Sequence, residues 1–148
     1  MLEDLGTQAG EHAIRKALRA GAAIEQAAIE ERAPVNDLTG GSLPAGALRA
    51  DITVRMTRSD QGNISAIVGP GKLTRHVADW VEYGHRMVTG GRSRKVANGK
   101  TKGPGQEVGT VPEHPFIRPA YEATAQEVAN TIAEVLKEEV TKASLKGK

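Results

Sequence analysis

The apolar positions change period along the chain, and each change marks an element. From Leu2 to about Arg32, Ile14, Ala17, Leu18, Gly21, Ile24 and Ala28 share one side of a helical wheel in a stretch rich in Ala, Glu and Arg. This predicts a long amphipathic helix, with Glu25 inside its apolar stripe and Gly10 and Gly21 as places where it kinks or divides. Pro34 biases Ala33 away from helical geometry and ends the element. The stretch from Pro34 to Gly46, with Asn36, Asp37, Gly40, Gly41 and Pro44, is a loop.

Strict alternation follows. Leu48, Ala50, Ile52, Val54 and Met56 are separated by Arg49, Asp51, Thr53 and Arg55, the pattern of a strand with one buried face. Ser59, Asp60, Gln61 and Gly62 supply a turn, and Ile64, Ala66 and Val68 resume the alternation, so the two runs predict a β-hairpin. Leu73 to Tyr83 reads as a short helix carrying Val77, Trp80 and Val81, with Gly84 placed for a left-handed cap. From Arg86 to about Val111 glycines replace large apolar residues, which predicts a long loop, mobile in the isolated subunit. A last helix is expected to open with Pro119 at its first position and to carry Tyr121, Ala125, Val128, Ile132, Val135 and Leu136 on one face. Glu138 and Lys142 are spaced for a pair one turn apart. The expectation is one α+β domain over residues 1–148: a long N-terminal helix, a small antiparallel sheet with a hairpin, a short helix, a flexible loop at about 86–111 and a C-terminal helix packed on the sheet.

Composition narrows the function classes. A chain of 148 residues is long enough for a real core. Its formal charge is only +2 although the pI is near 9.0, so any basic function is local. The absence of cysteine excludes disulfides, thiolate zinc sites and thiol nucleophiles. No run approaches the roughly 18 apolar residues of a membrane span, and Met1 to Gly10 carry Glu3 and Asp4 without an apolar stretch, so neither membrane nor export is expected. One Trp, one Phe and two Tyr are too few for a base-stacking platform.

Chemistry-bearing motifs fail on inspection. Asn98-Gly99-Lys100-Thr101 ends like a phosphate-binding loop, but Arg94 stands where the first glycine belongs, with no strand before it or helix after it. No pair among His12, His76, His85 and His114 has the one-turn spacing of a helical metal site. Ser42, Ser59, Ser65, Ser93 and Ser144 sit in no nucleophile elbow, and the carboxylates lie mostly on solvated helix faces. The glycosylation-like Asn63-Ile64-Ser65 has no meaning without a secretory signal. Catalytic, metal and cofactor sites are therefore not expected.

Two linked blocks, Ala78-Asp79-Trp80-Val81-Glu82-Tyr83-Gly84 and Pro115-Phe116-Ile117-Arg118-Pro119-Ala120, resemble the signature of the tail-completion family of long-tailed bacteriophages, also described as minor tail or morphogenesis components. A third, Ala33-Pro34 followed by Thr39-Gly40, resembles the family's junction between first helix and first strand, with either Leu43 or Leu48 in the place of its leucine. The resemblance implies a virion protein assembled in the bacterial cytoplasm, forming a ring, hexameric by analogy, at the neck between head and tail. Its implied partners are its own copies, a head–tail connector or stopper protein and the major tail tube protein. The matching residues Glu82, Tyr83, Gly84, Pro115, Phe116, Arg118 and Pro119 become candidates for the subunit interface. Two stiffening prolines around Phe116 and Arg118 would pre-organise such a contact. The plainer reading is that Gly84 ends a helix and Phe116 anchors the core.

Arg86, Arg92, Arg94, Lys95, Lys100 and Lys102 face only Glu107 in their segment, a local excess of five positive charges. Such a loop either stays solvated, orders against neighbouring subunits, or contacts phosphate in the channel without sequence preference. The rival from another class is a small nucleic-acid-binding regulator using this loop; the acidic helices and the missing helix-turn-helix pattern speak against it. A small enzyme of unrecognised type is the third reading.

Overall fold

The computed structural model describes residues 2–35, 43–89 and 105–146. Its elements run α1 (Leu2–Arg32), α2 (Ala47–Ala50), β1 (Ile52–Arg58), β2 (Ile64–Pro70), α3 (Arg75–Tyr83), β3 (His85–Thr89), β4 (Gln106–Val111) and α4 (Ile117–Lys146). The class is α+β as expected, with two antiparallel two-stranded sheets among the described residues. Contacts divide the chain into two compact units, residues 1–75 with 116–148, and residues 76–115.

The first unit is built on α1, a continuous helix of 31 residues. Among the described residues its buried positions are mostly small, Ala13, Ala17, Ala22 and Ala28, beside the fully enclosed Ile29. Gly21 does not divide the helix. A Cβ there would stand 2.7 Å from Ile132 Cγ1 and 3.1 Å from Val128 Cγ1, so glycine is what lets α4 lie close. Lys16 Nζ reaches Glu139 Oε1 across the same pair of helices at 2.7 Å. Burial disfavours the ionised form of Glu25 and pushes its carboxyl above the usual range.

The C-terminal helix was expected on the sheet; α4 instead packs along α1, and it is α1 that lies on β1 and β2. Both helices carry an apolar stripe, and periodicity does not say which surface each stripe meets. Gln26 Nε2 donates to the Ile52 carbonyl at 2.9 Å, fastening α1 to the start of β1. Arg58 pairs with Glu11 at 2.7 Å near the other end of the strand.

The hairpin begins later than the alternation suggests. Leu48 and Ala50 lie in the short helix α2, with Leu48 buried, because Ala, Leu and Arg are good helix formers and four residues satisfy a period of two without being extended. Arg49 then donates to the Ala33 carbonyl at 3.2 Å, satisfying a group at the end of α1. From Ile52↔Pro70 to Arg58↔Ile64 the ladder is regular. The turn closes through Ser59 N–H to the Asn63 carbonyl at 2.9 Å and Asn63 N–H to Ser59 Oγ at 3.1 Å. Asp51 Oδ2 accepts from the backbone N–H and the hydroxyl of fully buried Thr74, both at 3.0 Å.

Pro119 is the third residue of α4 rather than its first. The first four N–H groups of a helix have no partner within it, so proline is tolerated there too. Phe116, just before the helix, is 1% exposed, and Ala120 is fully buried.

Candidate interaction surface

The second unit starts from α3, whose end is fixed by a close backbone approach. Gly84 has φ +69°, the left-handed cap expected of it. A Cβ at Gly84 would lie 2.7 Å from the Val111 carbonyl oxygen and 2.9 Å from Glu113 N. His114 N–H donates to the Val81 carbonyl at 2.7 Å. The Glu-Tyr-Gly block and the chain leading into the Pro-Phe block therefore touch through backbone, and a side chain at Gly84 would push them apart.

The two ends of the stretch expected as loop are paired. β3 and β4 form a hairpin from His85↔Val111 to Thr89↔Gln106, with Val108 as an extra residue where the register shifts. Short runs broken by Gly109 and by that bulge hide the period of two. Arg86 lies in β3 and reaches Glu107 of β4 at 3.4 Å, both well exposed. Arg92, Arg94, Lys95, Lys100 and Lys102 lie outside the described residues.

The candidate interface residues divide by burial. Tyr83 is 69% exposed, and Arg118 and Pro119 are also at the surface. Pro115 is half-buried and Glu82 buried. Phe116 is 1% exposed in the single chain, among the buried apolar residues. Sequence reasoning missed an aromatic cluster: Trp80 meets His76 edge-on at 5.4 Å and His85 at 5.1 Å and 30°. The spacing of His76 and Trp80, one helical turn, was its only sequence signal. His85 Nδ1 is buried without a hydrogen-bond partner among the described residues. Half-exposed Trp80 and exposed Tyr83, Met87, Val88 and Val108 present apolar side chains at the surface of this unit.

Among the described residues no group of three or more His, Asp or Glu is placed to hold a metal. No described helix is long and apolar enough to cross a membrane. An open cleft of about 460 Å³ in the first unit is lined by Gly10, Ile14 and Ile64, with Glu11 and Arg58 neutralising each other at its rim.

A family model described as "Bacteriophage HK97-gp10, putative tail-component" matches residues 1–84, more than half of the chain. The match ends at Gly84, so β3, β4 and α4 lie beyond it. Neither a curated protein nor a solved structure matches the chain.

Proposed function

The chain belongs to the HK97-gp10-like family of bacteriophage tail components, structural proteins of the virion tail, and from that premise we propose that it is a ring-forming subunit at the neck. Six copies by analogy complete the tail and join it to the head. The family match carries this reading; the exposed Trp80 and Tyr83 support it, since large aromatic side chains at a surface favour protein contacts. The partners are the chain's own copies, a head–tail connector or stopper protein on one side and the major tail tube protein on the other. The basic residues Arg92, Arg94, Lys95, Lys100 and Lys102 serve neighbouring subunits or DNA passing through the channel, through sequence-independent contacts that weaken with salt.

Deleting the gene from its phage and imaging the lysate tests the reading. Filled heads separate from tails are expected, with joining restored by the supplied protein. Intact joined virions from the deletion would overturn the neck assignment, and a monomer at every concentration by native mass spectrometry would overturn the ring.

A further inference from the structure

The β3–β4 hairpin lacks what stabilises a strand pair. Among the described residues it has two strands only, and neither outer edge meets a third. A two-stranded hairpin alone is marginal in water, and an open edge is a template for another strand. Successive strand residues point to opposite faces, so the neighbours Met87 and Val88 place apolar groups on both, and both are exposed.

A head-to-tail contact between identical chains needs two different surfaces that fit each other. This hairpin carries such a pair, the outer edge of β3 and the outer edge of β4. Their charges are complementary: Arg86 on β3 is 76% exposed and Glu107 on β4 is 52% exposed. Strands in a sheet have neighbours at the same spacing, about 4.8 Å, on either side. A second copy's β4 laid antiparallel along the free edge of β3, in the register of the chain's own pair, brings a second Glu107 within reach of Arg86.

We infer that the β3–β4 hairpin is the joint between copies of this chain, the outer edge of β4 in one copy pairing with the outer edge of β3 in the next and Arg86 facing the neighbour's Glu107. The inference rests on the ring-forming reading and names the surface that closes the ring. Repeated around a closed ring, the joint leaves no open edge in the hairpins.

Full-length Arg86→Glu and Glu107→Arg chains test it, alone and mixed, with assembly followed by native mass spectrometry over a concentration series. Each variant alone sets like charges at every joint and raises the concentration of half-assembly by roughly tenfold or more. In an equimolar mixture, copies that alternate around a ring meet opposite charges at both joints, although each chain's internal pair remains like-charged. Assembly then returns to within about threefold of wild type. An effect confined to the chain's own hairpin gives no such rescue. Single variants that assemble like wild type, or variants that stay apart when mixed, overturn the joint while wild-type rings uphold the ring. A wild-type chain that never assembles overturns the ring reading and the joint together.

Discussion

The two hairpins are built on the same plan and meet different fates. β1 and β2 have seven residues each, a regular register and a helix laid over them. β3 and β4 have five and six, a bulge, and side chains that are exposed at most positions. Pairing of backbone groups therefore does not distinguish a finished sheet from an unfinished one. What distinguishes them is whether the apolar face has been covered, since burial supplies most of the free energy and the hydrogen bonds net little against water.

The largest effect should come from the buried side. Phe116→Ala is expected to destabilise the chain by about 3–5 kcal/mol, the cost of truncating an enclosed phenylalanine, measured by urea unfolding. A loss under about 1 kcal/mol would mean that Phe116 is not a core anchor. Hydrogen exchange on the free subunit sharpens the contrast: amides inside the β1–β2 ladder should be protected roughly a hundredfold more than those of β3–β4. Equal protection would show that the second hairpin needs no cover.

Gly84→Ala should cost about 1–3 kcal/mol, because it adds left-handed strain to the clash with the Val111 carbonyl. Its unfolding midpoint, set beside that of Gly10→Ala, which meets open space and gains helix propensity, is the check. On the exposed side, Tyr83→Ala and Val88→Thr should move stability by less than about 0.5 kcal/mol while lowering the assembled share. Unfolding of either monomer would move these residues into the core.

The smallest effects concern protons. Lys16 and then Lys142 hold the Glu139 carboxyl below its ordinary value of 4.5. Its contribution to stability is present above 4.5 and is lost as pH falls through the lowered value. Glu25 has the opposite sign: its raised value favours the protonated folded form, so its penalty is absent below 4.5 and grows as pH rises through the raised value. Glu25→Gln should therefore stabilise near neutral pH and Glu139→Gln destabilise slightly. Thermal melts from pH 3 to 8 that respond in the reverse sense would contradict both assignments.

The sequence made some elements legible because one local cause sufficed. Pro34 follows α1, Ser59 to Gly62 close the first turn, and Gly84 takes the left-handed cap. The failures need information beyond a window. Leu48 suits a helical turn and a strand equally, and only the chain's path decides. β3 and β4 are too short and too interrupted at Val108 and Gly109 to display a period. The partner of α4 depended on Gly21, which reads in sequence as a weak point and serves in the structure as room for Ile132. Of the candidate interface, Tyr83 and Arg118 are at the surface, whereas Phe116 is buried, as the plainer of its two sequence readings has it.

The notch at Gly21 also has a mechanical side. α1 is about 46 Å long at about 1.5 Å per residue, and alanine and glycine lose no rotamer entropy when buried against a neighbour. Such a smooth face would let two helices slip lengthwise at little cost. With the Ile132 side chain seated where α1 has no Cβ, a slide of one turn, about 5.4 Å, drives that side chain toward Ala17 or Glu25, where a Cβ stands in its way. A pull along the helix axes is thus resisted by a side chain caught in a gap, as a pawl holds a rack.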